Sequence, residues 1–240
     1  MRSLTIKIKK SVVLIVICIF IIIVFTSIFF YPLRYYEIFE NNEMLGYRVV
    51  IDAGHGGIDG GAVGASKVSE SSINLEITYE LKSLFEKNGH TVILTRKDEN
   101  GLYDNTSKGF KKRDLQKRIE IAKNANFDIF ISIHLNKYTS SKRRGAQVFF
   151  KNGNESSKAL AENVQTELNL LKESKRMYDA LSGDYYLLNN LEGGVIIVEC
   201  GFLSNPEEEI LLLTARYRKS VATAIYNGAT RYMFNMQKYL

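Results

Sequence analysis

Past residue 46 the hydrophobic positions fall into short, unbroken runs separated by stretches of helical periodicity. The runs are Arg48-Val49-Val50-Ile51, Thr91-Val92-Ile93-Leu94, Ile129-Phe130-Ile131-Ser132-Ile133 and Val195-Ile196-Ile197-Val198, with a weaker one over 145–150. They are rich in β-branched residues and do not alternate with polar ones, as strands buried on both faces require. Between them, Ile73, Ile77, Leu81, Leu84 and Phe85 form one helical stripe, closed by Gly89. Leu115, Ile119 and Ala122 form a second stripe, and Leu160, Val164, Leu168 and Leu171 a third. Ser204-Asn205-Pro206-Glu207-Glu208-Glu209 predicts a helix start: capping side chains, Pro in the first turn, then acids facing the helix dipole. A last helix carries Tyr217, Val221, Ile225 and Tyr232. This alternation predicts an α/β sandwich.

The N-terminal pattern is different. Residues 12–25 are fourteen positions without a polar break, and Ile28-Phe29-Phe30-Tyr31 extend them past Thr26 and Ser27. Twenty residues at ~1.5 Å rise span ~30 Å, the thickness of a bilayer's hydrocarbon core. A cleaved signal would have a shorter apolar stretch and a small-x-small cleavage site, and this stretch contains no Ala. The chain is therefore read as a cytoplasmic basic tail (1–11), a transmembrane anchor or uncleaved signal (12–31), a tether (32–46) and a domain (47–240). Glu37, Glu40 and Glu43 follow the span, so the positive-inside rule exports the domain.

Composition narrows the class. The 240 residues are 45% hydrophobic and 24% charged, which excludes a disordered chain. Two cysteines, Cys18 in the span and Cys200 in the domain, exclude a disulfide scaffold and a Cys-only zinc module. Of the net charge of +6, the tail holds +4 through Arg2, Lys7, Lys9 and Lys10. The rest is nearly balanced, which argues against nucleic acid as a partner.

Three histidines are present. His55 lies just beyond the first strand, in Asp52-Ala53-Gly54-His55-Gly56-Gly57; His134 ends the third; Glu199 ends the fourth. His90, in the turn Asn88-Gly89-His90, reads as a solvated loop residue. Parallel strands deliver their C-terminal ends to one edge of the sheet, where open α/β proteins hold ligands. Two imidazoles and a carboxylate suit Zn²⁺, which accepts nitrogen and oxygen donors and keeps a fourth position open when catalytic. Gly54, Gly56, Gly57, Gly60, Gly61 and Gly64 allow a tight loop about such a site. They match neither a Walker A loop, since Lys67 precedes Val68, nor a dinucleotide fingerprint, since Asp59 stands where Gly is needed. Asp52, Asp59, Glu70 and Glu76 are all candidates for a further carboxylate ligand.

Asp52-Ala53-Gly54-His55-Gly56-Gly57-Ile58-Asp59-Gly60-Gly61-Ala62 resembles the opening motif of zinc-dependent N-acetylmuramoyl-L-alanine amidases of the amidase 3 family. Ser132-Ile133-His134-Leu135-Asn136 is similar to the family's second-histidine motif, and Val198-Glu199-Cys200-Gly201-Phe202-Leu203-Ser204-Asn205 to its catalytic glutamate motif. Thr95-Arg96, Leu115, Arg118 and Asn124 also fit, and the similarity runs in order over 47–233. The resemblance implies a twisted, mostly parallel sheet of about six strands with helices on both faces. It also implies one Zn²⁺ per chain, held by His55, Glu70 and His134, to activate water and polarise the scissile carbonyl. Glu199 would then be the proton carrier, and Asn136 would hydrogen-bond substrate or orient a ligand. The substrate would be the peptidoglycan glycan strand with its stem peptides, cut between N-acetylmuramic acid and L-alanine.

Gly193-Gly194 departs from the family in replacing a frequent Pro. Only 64 residues separate His134 from Glu199, too few for the inhibitory insertion of division-associated members. An anchor joined to a minimal domain is similar to spore-cortex amidases, whose action precedes muramic-δ-lactam formation. A vegetative autolysin, or an inactive wall-binding scaffold with the same fold, is the alternative. An activating protein partner is compatible with either plan. The loop 137–144, with Lys137, Lys142, Arg143 and Arg144, faces either stem-peptide carboxylates or solvent.

Overall fold

The computed structural model describes residues 19–22, 25–26, 46–104, 108–173 and 176–237. The chain divides into two units, 1–44 and 45–240. In the first, residues 19–22 and 25–26 are helical; the rest of the expected anchor, the basic tail and nearly all of the tether lie outside the described residues. Among the described residues no helix is long and apolar enough to cross a membrane.

The second unit is a six-stranded mixed sheet. Its strands are β1 (Arg48–Ala53), β2 (Thr91–Leu94), β3 (Ile129–Asn136), β4 (Gln147–Phe150), β5 (Leu181–Ser182) and β6 (Gly194–Phe202). Their order is β2-β1-β3-β6-β4-β5. The first four in that order are parallel; β4 runs antiparallel to β6, and β5 parallel to β4. The helices are α1 (Glu70–Lys87), α2 (Phe110–Ala125), α3 (Glu155–Asn169), α4 (Tyr186–Asn190), α5 (Pro206–Leu212) and α6 (Ala215–Gln237).

Successive strand side chains point to opposite faces, and two apolar layers follow from this. Val49, Ile51, Ile129, Ile131, Ile133, Ile196 and Val198 pack on one face with Ile77 and Leu81 of α1, Leu160 and Val164 of α3, and Val221 and Ile225 of α6. Val50, Phe130, Val195 and Ile197 pack on the other with Ile119 and Ala122 of α2 and Leu187 and Leu188 of α4. Helices therefore cover both faces, as expected.

Several elements differ from the sequence reading. Both β3 and β6 continue beyond His134 and Glu199, which are paired across the two strands, and a register shift follows between His134 and Asn136. Leu171 lies past the end of α3. The two-residue β5 and the five-residue α4 were not anticipated, being too short to show a period. At α5, Asn205 accepts hydrogen bonds from the backbone N–H groups of Glu207 and Glu208, the expected cap. Glu208 and Glu209, however, turn inward: Glu208 accepts from the Gly145 and Phe202 amides, and Glu209 from those of Ala65 and Ser66.

His90 is a correction. It is buried, 4% exposed, against Tyr47 and Phe85, and its Nδ1 accepts the Tyr47 amide at 3.3 Å. The turn after α1 folds the ring back beneath the start of β1 instead of into water. Burial lowers its pKa. This edge of the sheet is opposite to the one bearing His134. His90→Ala should therefore cost about 1–3 kcal/mol of stability in denaturant unfolding, from a lost buried hydrogen bond and packing, with metal content and turnover unchanged.

Candidate metal centre

Beneath the site lies a buried ionic layer. Asp52 is fully buried on β1 and accepts hydrogen bonds from Thr95 Oγ1, Ser132 Oγ and Arg118 Nη1, each at 2.6 Å. Burial alone would raise this carboxyl, but Arg118 and the two hydroxyls bring it down to about 2. Arg118 also binds Asp114 and donates to the carbonyls of Ala53 and His55, both at 2.6 Å. Arg96 adds donors to Ala53 O (2.8 Å) and Gly54 O (3.1 Å). Two buried guanidinium groups thus hold the backbone that leaves β1. That hold matters because His55 has φ +63°, a left-handed conformation costing ~1–2 kcal/mol for a residue with a Cβ. Arg118→Met should lower stability by about 3–5 kcal/mol in urea unfolding, because it leaves Asp52 as a buried carboxylate without its cation.

On that base three side chains meet. Glu70, the first residue of α1, sets its Oε1 3.2 Å from His55 Nε2 and 3.0 Å from His134 Nδ1. One candidate ligand atom from each of His55, Glu70 and His134 lies within 4.8 Å of the others. The Glu70 carboxylate is fixed by the amides of Ala62 (2.8 Å) and Leu135 (3.0 Å) and by Asn74 Nδ2 (3.3 Å). Burial opposes its charge, yet its contacts with the two histidines hold it well below the usual carboxylate range. Gly54 is required here by close approach: a Cβ at that position would lie 2.3 Å from the His134 ring.

The other carboxylate candidates have different work. Asp52 belongs to the layer below. Glu76 pairs with Arg218 and is half exposed. Asp59 accepts at 3.1 Å from His55 Nδ1 and pairs with Lys111 at 2.8 Å. A carboxylate on the far nitrogen of an imidazole sets its tautomer and leaves Nε2 free as a ligand. Asp59, Lys111 and Asn74 were missed in these supporting roles. Asn74, one helical turn after Glu70, was the visible signal, but spacing alone does not say that two side chains share a partner.

Glu199 faces the same cleft from β6, opposite His134 in register. Its Oε2 is buried and has no hydrogen-bond partner among the described residues. Burial raises its carboxyl to about 7, with the charge of Glu70 adding and the histidines opposing. The cleft, about 360 Å³, is lined by these residues with Asn136, Lys111 and Lys137 at its walls. Two imidazoles, one anionic carboxylate and an adjoining open cleft are a donor set that fits Zn²⁺. The loop 137–144 divides its charges: Arg143 stacks on Tyr138 at 4.1 Å and Arg144 pairs with Glu207, while Lys137 and Lys142 are exposed.

Comparison with known proteins agrees with this geometry. The sequence profile of Amidase_3, N-acetylmuramoyl-L-alanine amidase, matches residues 49–231. A germination-specific N-acetylmuramoyl-L-alanine amidase of Bacillus subtilis is 34% identical over 210 residues, covering 81% of this chain and 86% of that protein. The CwlD amidase from Clostridioides difficile, solved in complex with the GerS lipoprotein, superposes with a TM-score of 0.76 at 39% identity, covering 79% of this chain and 99% of that one. The catalytic domain of the CwlV amidase from Bacillus (Paenibacillus) polymyxa gives 0.68 at 30% identity, covering 78% and 98%.

Proposed function

The chain belongs to the N-acetylmuramoyl-L-alanine amidase family and is an amidase acting on peptidoglycan, and we propose that it works with one zinc ion held by His55, Glu70 and His134. The observation that carries the metal reading is the convergence of both imidazoles on a single Glu70 oxygen beside an open cleft.

The bond cut joins the lactyl carbonyl of N-acetylmuramic acid to the amine of L-alanine. Bound zinc supplies Lewis acidity toward the carbonyl and water. Glu199 takes the proton of the attacking water and passes it to the leaving amine, so that acid and amine separate with one water consumed. The unpartnered Oε2 supports that role, since a buried oxygen without a donor is ready to accept one. Asp59 keeps the His55 ring oriented. Asn136, on the cleft wall, hydrogen-bonds the substrate, and Lys137 beside it faces the carboxylates of the stem peptide, while Lys111 stays paired with Asp59.

The finer assignment is removal of stem peptides in spore cortex, ahead of muramic-δ-lactam formation. Similarity to a germination-specific amidase and to CwlD supports it. The CwlD complex with the GerS lipoprotein likewise supports a protein partner for this chain. The apolar stretch 12–31 acts as an uncleaved anchor, with residues 47–240 as the catalytic domain outside the cytoplasm. Two measurements test these statements. Muropeptide analysis should show stem peptides freed by the purified protein and none after chelation; zinc bound without release would favour an inactive wall-binding scaffold. N-terminal sequencing of the mature protein should begin at residue 1 or 2, and a start near Ser27 or later would remove the anchor.

A further inference from the structure

The segment 98–104, between β2 and α2, wraps the loop that carries His55. Gly57 donates its amide to Glu99 O at 2.6 Å, and the Asn100 carbonyl lies against Gly56. Tyr103 completes the contact with one hydroxyl. It accepts from the Ile58 amide at 2.7 Å and donates to Gly56 O at 3.2 Å, so it spans Gly57 from both sides. Gly57 takes φ +63°, and a Cβ on it would lie 2.2 Å from the Tyr103 oxygen, so the turn and the phenol are fitted to one another.

The turn so held brings together two groups of the metal centre. Gly56 N donates to Asp59 O at 2.9 Å and Asp59 N to Gly56 O at 3.2 Å, which closes the turn between His55 at its entry and Asp59 at its exit. The Asp59 carboxylate then reaches back to His55 Nδ1. Tyr103 is itself fixed. Its ring stands edge-on to Phe110 (centroids 5.1 Å apart, 68° between planes), and the neighbouring Leu102 amide donates to Asp114 at 2.6 Å. Asp114 also binds Arg118, whose guanidinium holds His55 O. The clamp and the ligand hang from the same anchor. Tyr103 is absent from the lining of the catalytic cleft.

We propose that Tyr103 is a positioning residue that sets metal affinity by holding the turn between His55 and Asp59, without touching metal or substrate. The inference rests on the reading of His55 as a ligand. Outer partners of metal ligands are commonly worth ~10–100-fold in affinity, and one hydroxyl two bonds out belongs at the lower end of that range.

The test uses the full chain and the variant Tyr103→Phe, which removes the hydroxyl and keeps the ring. Zinc affinity is measured by competition with a chromophoric chelator, together with the melting temperature of the metal-free protein and kcat and KM at saturating zinc. Asp59→Asn serves as a benchmark. The expected result is zinc affinity weakened by about 10-fold, an unchanged metal-free melting temperature, unchanged KM, and a turnover deficit at limiting zinc that excess zinc removes. Zinc affinity within twofold of wild type would overturn the proposal. So would a turnover loss that excess zinc does not restore, or a metal-free protein that melts lower in step with the lost affinity. Should Asp59→Asn lose affinity while Tyr103→Phe does not, the metal reading stands and the clamp falls. A wild-type chain that does not bind zinc removes both.

Discussion

Glu199→Gln should bind zinc as the wild type does and hydrolyse its amide at least ~10²–10⁴-fold more slowly, the usual worth of general acid–base assistance. Gln preserves the volume and one oxygen of the side chain, and Glu199 is not one of the three side chains that converge on one another. What is lost is the capacity to receive a proton. The surroundings of Glu199 suit proton transfer, because its buried Oε2 faces the cleft with no donor among the described residues to satisfy it. The position also admits the amide without a large rearrangement, since no hydrogen bond to Oε2 has to be broken. Zinc content and release of stem peptides are measured on the same preparation. A zinc-loaded variant with near wild-type turnover would remove Glu199 from the mechanism.

Glu70→Ala should lose the metal and the activity together, with zinc affinity down by more than ~100-fold, since even outer-sphere partners commonly reach that value. Among the described residues the carboxylate is the single anionic group on which both imidazoles converge, and two histidines alone offer too few donors for zinc. The substitution also strands the amides of Ala62 and Leu135, which both donate to it, so some loss of stability accompanies the loss of metal. His134→Ala should strip zinc in the same way, leaving the buried amides satisfied. The two variants therefore separate metal loss from fold loss. Metal content is read by elemental analysis and stability by denaturant unfolding. Zinc retained in Glu70→Ala would sink the ligand assignment.

Hydrophobic periodicity carried the fold: the four apolar runs are β1, β2, β3 and β6, and the stripe from Ile73 to Phe85 is α1; β2, however, is an edge strand with only Leu94 buried, not a strand covered on both faces. Such patterns are local, because a strand buried on both faces must be apolar throughout and a helix must present one stripe. The position of His55, His134 and Glu199 at one edge of the sheet was legible for the same reason. Strand ends can be read along the chain only to within a few residues, since β3 and β6 run on past His134 and Glu199, but parallel strands share an edge.

His90 and the carboxylates show where that reading stopped. The turn Asn88-Gly89-His90 looks solvent-exposed along the chain, yet its ring is buried beneath Tyr47, forty-three residues earlier. Asp52, Asp59 and Glu76 were as plausible as Glu70 on type and spacing; family resemblance selected Glu70, and its proximity to both histidines is visible only in three dimensions. The sequence by itself determined the alternation of strands and helices, the motifs and the edge on which they gather. Tertiary structure decided which side chains meet across that edge, which acid supports a histidine from behind, and which loop is clamped by Tyr103. The physical reason is that side-chain convergence depends on strand register and loop path, and both follow from packing between segments far apart in the chain.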